Sequence, residues 1–206
     1  MPQPLYIYVH GFNSSPASYK AQQLQRWMEA QGQGERLRVP ALSHWPRHAM
    51  ATLRALVESD DRPTVLLGSS LGGYYATWLT EHYDHLKAVL INPSVRPFEL
   101  LDRWLGENEN IYTEERYLLT RDHLRQLQAL HCPVLAASRY LLLVQTADEV
   151  LDYREATARF AASEQHIEEG GSHGFDQFER SWARIFRFAQ DPDLAQAIER
   201  ELTIDE

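Results

Sequence analysis

Apolar positions along this chain fall into short runs separated by longer amphipathic stretches. Four runs have strand length and are rich in β-branched or aromatic residues: LYIYV (Leu5 to Val9), TVLLG (Thr64 to Gly68), KAVLIN (Lys87 to Asn92) and YLLLVQT (Tyr140 to Thr146). Their near-continuous apolar character predicts strands of a sheet covered on both faces. LRVP, starting at Leu37, and QHIEE (Gln165 to Glu169) are weaker strand candidates. Between them the period changes to that of a helix. Ser15-Pro16 reads as an N-cap with proline at the first helical position. Ala17, Ala21, Leu24 and Met28 then share one face, as do Ala49, Leu53, Leu56 and Val57 in the next unit. This alternation predicts an α/β protein: one domain with a mainly parallel central sheet and helices on both faces.

Pro93 to Arg139 breaks the rhythm, with no clear strand. Pro97 to Leu105 reads as a short helix closed by Gly106, and Thr120 to Leu130 as another. An insertion of this length is expected to form a small helical cap or lid. Asp191 to Glu206 reads as a charged tail that forms a surface helix or frays.

Composition narrows the function classes. The chain has 206 residues, 44% of them apolar, enough for one sizeable core. A formal charge of −9 argues against nucleic acid and anionic membranes as partners. Cys132 is the single cysteine, so no intramolecular disulfide is possible, which fits a reducing compartment. The first apolar run ends at His10 and has no basic residue before it. It is too short for a signal-peptide core or a membrane span, so the expectation is a soluble, cytoplasmic protein. Oligomeric state is left open.

The candidate chemistry centres on LLGSSLGG (Leu66 to Gly73). The pattern G-x-S-x-G fits only with Ser70 at its centre, because centring on Ser69 places Leu67 and Leu71 where glycines belong. Alone the pattern is common. Here a candidate strand precedes it and a helical stretch follows, which is the context of a strained turn presenting a nucleophile. Such a serine needs a base, and GGSHGF places His173 in a late, glycine-rich loop. The base needs an orienting acid, and Asp148 directly follows the last strong strand candidate. Glu149, Asp152 and Asp176 compete for that role. The latter two are better read as helix caps. The order Ser70, Asp148, His173 is the one expected of α/β-hydrolases. The oxyanion donors would be the backbone N–H groups of Leu71 and of Phe12, in the loop after the first strand. His10 in that loop reads as structural.

Asn13, Leu101, Trp104 and Leu105 are candidates for the substrate pocket. His44 and His48 stand four apart, but Pro46 lies between them and no third ligand of matching spacing follows, so no metal is expected. No cofactor is expected either.

YVHGFNSSP, GSSLGGYYATWL, NPSVRPFELL, QTADEVLDY and EGGSHGF together resemble the YqiA-type esterases of the α/β-hydrolase superfamily, from about Leu5 to Phe188. The resemblance implies hydrolysis of esters with short acyl groups, and places nucleophile, acid and base on Ser70, Asp148 and His173. This chain departs from the family pattern beside those residues, at Ala147, Ser172 and Gly174. An acyl-CoA thioesterase with the same three residues, and a ligand-binding protein without turnover, are the alternative readings.

Overall fold

A computed structural model describes residues 3–204. In chain order the elements are β1 (Leu5–Val9), α1 (Tyr19–Ala30), β2 (Leu37–Arg38), α2 (Pro46–Glu58), β3 (Thr64–Ser69) and α3 (Leu71–His82). β4 (Leu86–Ile91), α4 (Pro97–Leu100), β5 (Gly106–Glu109), β6 (Arg116–Leu119), α5 (Arg121–Gln128) and β7 (Tyr140–Gln145) follow. The chain closes with α6 (Tyr153–Arg159), β8 (Glu164–Glu168), α7 (Trp182–Phe188) and α8 (Pro192–Ile204).

Six strands form one sheet in the order β2-β1-β3-β4-β7-β8, all neighbours parallel. Side chains alternate between two cores. On β1, Leu5, Ile7 and Val9 join one apolar cluster, and Tyr6 and Tyr8 join the other. Residues of α2 and α3 pack in the first cluster, and residues of α1, α7 and α8 in the second. Both faces are covered, which is why the strands carry no polar alternation. The chain leaves β1 toward β2 on one side and returns to β3 on the other. That reversal opens a crevice at the C-terminal edge between β1 and β3, the place where open parallel sheets bind ligands. Among the described residues no helix is long and apolar enough to cross a membrane.

Two local expectations need correction, and a third gains detail. α1 starts at Tyr19 rather than at Pro16. Ser15 caps a turn instead: its Oγ accepts from the Ala17 N–H at 3.0 Å and its carbonyl from the Ser18 N–H at 3.1 Å. Next, the insertion is not purely helical, because β5 and β6 pair as an antiparallel hairpin. Polar groups of the loop after β1 hold it: the Tyr117 hydroxyl donates to Asn13 Oδ1 at 2.6 Å, and Asn110 Nδ2 to the Ser14 backbone carbonyl at 2.9 Å. Finally, the C-terminal stretch takes the helical form allowed for it, as α8, but the helix is docked by a buried face. α8 buries Leu194, Ala195 and Ile198 in the second core, while buried Asp191 pairs with Arg36 and accepts from the Tyr6 hydroxyl at 2.8 Å. Residues 205 and 206 lie outside the described residues.

Candidate active site

Ser70 links β3 to α3 with φ 54° and ψ −118°, a region that a side chain occupies only when its surroundings enforce it. Three hydrogen bonds do so. The Ser70 N–H donates to the Ile91 carbonyl at 3.0 Å, and the Ser70 carbonyl accepts from Gly73 and Ser94 at 3.0 and 3.1 Å. The flanking glycines are required by contact. A Cβ on Gly68 would lie 2.7 Å from the Gly72 carbonyl oxygen, and one on Gly72 would lie 1.9 Å from the Val9 carbonyl oxygen. The N-terminus of α3 therefore rests directly on the end of β1. Ser69 is the last residue of β3 and has regular strand pairing with Ile91.

His173, in the loop after β8, reaches Ser70 Oγ with Nε2 at 3.0 Å and Asp148 Oδ2 with Nδ1 at 2.8 Å. The carboxylate beside Nδ1 fixes the proton there, leaving Nε2 free to accept from the serine hydroxyl. The Asp148 side chain is 2% exposed. Its Oδ1 accepts from the Val150 and Leu151 N–H groups, each at 2.8 Å, so the acid is held at both oxygens. The competing acids have other partners. Asp152 caps α6 by accepting from the Arg154 N–H. Asp176 is not a helix cap; its Oδ1 accepts from the Ser172 hydroxyl at 2.7 Å. Glu149 touches His173 only at the backbone N–H, 2.9 Å away.

Two buried amides that sequence reasoning passed over hold the histidine loop. Asn92 Nδ2 donates to the carbonyls of Ser172 and His173 at 2.9 and 3.2 Å, and its Oδ1 accepts from the Gln145 N–H at 3.0 Å. Gln145 Oε1 accepts from the Ser172 and Asp176 N–H groups at 3.1 and 2.8 Å, while Nε2 donates to the Asp176 carbonyl at 2.9 Å. The signal was a polar residue ending an otherwise apolar strand, in KAVLIN and again in YLLLVQ. A geometry error near 1 Å costs on the order of 10²-fold in rate. Gln145→Leu is thus expected to lower kcat by about that factor with KM little changed. Unaltered kcat in steady-state kinetics would remove the positioning role.

The cavity beside Ser70 has a volume of about 510 Å³. The loop after β1, the start of α1, the tip of the hairpin and the histidine loop line it. Asn13 is among the lining residues, as expected, but Leu101, Trp104 and Leu105 are not. Leu101 is buried in the first core with Leu105 packed against it, and Trp104 is 55% exposed elsewhere. The pocket wall expected from these residues is supplied instead by Ile111 and Tyr112, which the hairpin carries across to the crevice. Phe12 and Leu71 both line a small adjoining cavity of about 30 Å³. A Cβ on Gly11 would be 3.2 Å from Ser70 Cβ, so the loop bearing Phe12 lies against the turn.

Three other histidines are biased toward the neutral form by burial. His10 donates from Nδ1 to the Gly11 carbonyl and accepts at Nε2 from the Leu42 N–H. His44 meets His123 at 3.1 Å rather than sharing a ligand with His48, and stacks on Tyr117 with centroids 4.0 Å apart. His123 Nδ1 in turn accepts from the Thr120 N–H at the start of α5. Burial lowers the pKa of all three. A depressed pKa means that the unfolded chain takes protons first as pH falls, so the stabilisation is present above about 6.5 and lost below it. Tm should therefore decline between pH 7.5 and 5. The decline should be smaller in His44→Phe, which retains a ring on Tyr117 but no titrating nitrogen. An equal decline in both proteins would contradict this account.

The parallel sheet and the strained serine turn at its C-terminal edge define an α/β-hydrolase fold. Solved structures agree. Est1E from Butyrivibrio proteoclasticus aligns with a TM-score of 0.64 at 14% identity, covering 98% of this chain and 89% of that one. Alpha/beta hydrolase domain-containing protein 10 from mouse aligns at 0.60 and 16% identity, covering 100% and 88%. The ydeN gene product of B. subtilis aligns at 0.56 and 12% identity, covering 98% and 100%. A family model, Uncharacterised protein family (UPF0227), matches residues 5–190, and the chain belongs to that family.

Proposed function

We propose that the protein is a serine hydrolase that cleaves small carboxylic esters through an acyl-enzyme. The observation that carries this reading is the unbroken relay from Ser70 Oγ through His173 to buried Asp148, at 3.0 and 2.8 Å, on a strained turn beside an open cavity. Ser70 Oγ attacks the ester carbonyl as its proton passes to His173 Nε2. Asp148 holds the imidazole in the required tautomer and stabilises the imidazolium. The N–H groups of Leu71 and Phe12 donate to the oxygen that becomes negative. Leu71 opens α3, where the first N–H groups have no partner within the helix. His173 then delivers the proton to the leaving alcohol, and a water deprotonated by His173 releases the acid.

A cavity of about 510 Å³ with Ile111 and Tyr112 on one side suits a short acyl group. Est1E, which shares the fold, has been crystallised with ferulic acid bound. A cytoplasmic location belongs to the same proposal, with Cys132 as a free thiol. The test is a panel of nitrophenyl esters of rising chain length alongside acyl-CoA thioesters. Turnover highest on short esters supports the reading. Turnover confined to acyl-CoA would move the substrate class to thioesters, and none at all would count against an enzyme.

A further inference from the structure

Resting on the reading of Ser70 as an ester-cleaving nucleophile, we propose that Lys20 is a specificity-determining residue. It selects esters that carry a carboxylate several bonds from the scissile carbonyl, within the same cavity.

Lys20 stands in the first turn of α1 and lines the same cavity as Ser70 and His173. It is the one Lys or Arg in that lining among the described residues. An ammonium has three N–H donors. One goes to the Gly174 carbonyl, next to His173. Among the described residues, no carboxylate lies within ion-pair distance, 4.0 Å, of Nζ. The two nearby acids are already engaged: Asp148 by His173, Val150 and Leu151, and Asp176 by Ser172.

The consequence is a half-buried cation without a paired anion. Burial pushes its pKa down to about 8, against the opposing attraction of Asp148 and Asp176. Desolvated charges gain most from a partner of opposite sign. An anionic group in the cavity supplies that partner and takes up the unused donors. Among the described residues Asp176 is the one carboxylate in the lining, and its Oδ1 is taken by the Ser172 hydroxyl at 2.7 Å. Tyr19, Ile111 and Tyr112 complete the wall with large and largely exposed side chains, suited to the hydrocarbon part of the same substrate. A tether to Gly174 alone would also explain the lysine, but it would affect charged and neutral esters equally.

The experiment reads a ratio, so a general loss of activity cancels. Two matched pairs are used: monophenyl adipate against phenyl hexanoate, with the carboxylate on the acyl side, and 4-acetoxybenzoate against phenyl acetate, with it on the alcohol side. For at least one pair, Lys20→Met is expected to lower the anionic-to-neutral ratio of kcat/KM by about 10-fold, mainly through KM. Lys20→Arg should hold the ratio within about threefold, because the charge remains. The pair that responds identifies the side on which the anion sits. Equal losses on both members of each pair, or no change in either ratio, would overturn the proposal and leave Lys20 as a tether. Failure of the underlying reading looks different: no ester is cleaved by the unmodified protein and Ser70 takes no fluorophosphonate label. That outcome overturns the proposal as well.

Discussion

Ser70→Ala is expected to leave a folded protein whose turnover of nitrophenyl esters has fallen by at least about 10⁴-fold, since removing the nucleophile of such a relay disables the whole unit. The fold should survive because the turn is held by backbone hydrogen bonds to Ile91, Gly73 and Ser94, none of which uses the hydroxyl. Oγ itself meets only His173 Nε2 among the hydrogen bonds of the described residues. Ser69→Ala is the matched control. Ser69 belongs to β3 and has Tyr8 as its polar neighbour, so its loss should cost less than about 10-fold. Steady-state kinetics with circular dichroism on both variants checks this. Comparable losses in the two would erase the distinction between the adjacent serines.

Asp148→Asn carries the second large effect. Its remaining Oδ1 keeps the Val150 and Leu151 N–H groups satisfied, so the loop should hold its shape. The new NH₂ then faces Nδ1 of His173 and forces that nitrogen to accept. The proton moves to Nε2, where it points at Ser70 and cannot be replaced by the serine proton. A loss of up to about 10⁴-fold in kcat is expected, the size found when a serine-protease triad loses its carboxylate in this way. Asp152→Asn should leave turnover nearly intact, because asparagine still caps α6. Near-normal kcat in Asp148→Asn with collapse in Asp152→Asn would relocate the acid.

The parts of this arrangement that could be read in the sequence are those with a local physical signature. Strands covered on both faces must be apolar throughout, so LYIYV, TVLLG and YLLLVQ announced themselves, with bounds close to those observed. The turn at Ser70 was legible because close backbone contact leaves no choice but glycine at 68 and 72. The hairpin was not legible. GENE and RYLL have neither period-two apolar alternation nor a recognisable two-residue turn, and their support comes from Asn13 and Ser14 about a hundred residues away in sequence. Missing the hairpin led to the wrong pocket wall, Trp104 in place of Ile111 and Tyr112. The docking of α8 was hidden for a related reason: Arg36 and Asp191 each look like surface charges until the fold buries them together. Asn92 and Gln145 were read only as parts of the strand runs KAVLIN and YLLLVQT, because their value lies in amides aimed at a loop that the sequence places far downstream.

The central claim is that Ser70 is a nucleophile activated by His173. Reaction with a fluorophosphonate, followed by digestion and mass spectrometry, tests it most directly. The account predicts one labelled serine, Ser70, with labelling abolished in Ser70→Ala, sharply slowed in His173→Ala and retained in Ser69→Ala. Label on Ser69, or ester hydrolysis by a protein whose Ser70 stays unlabelled, would contradict it.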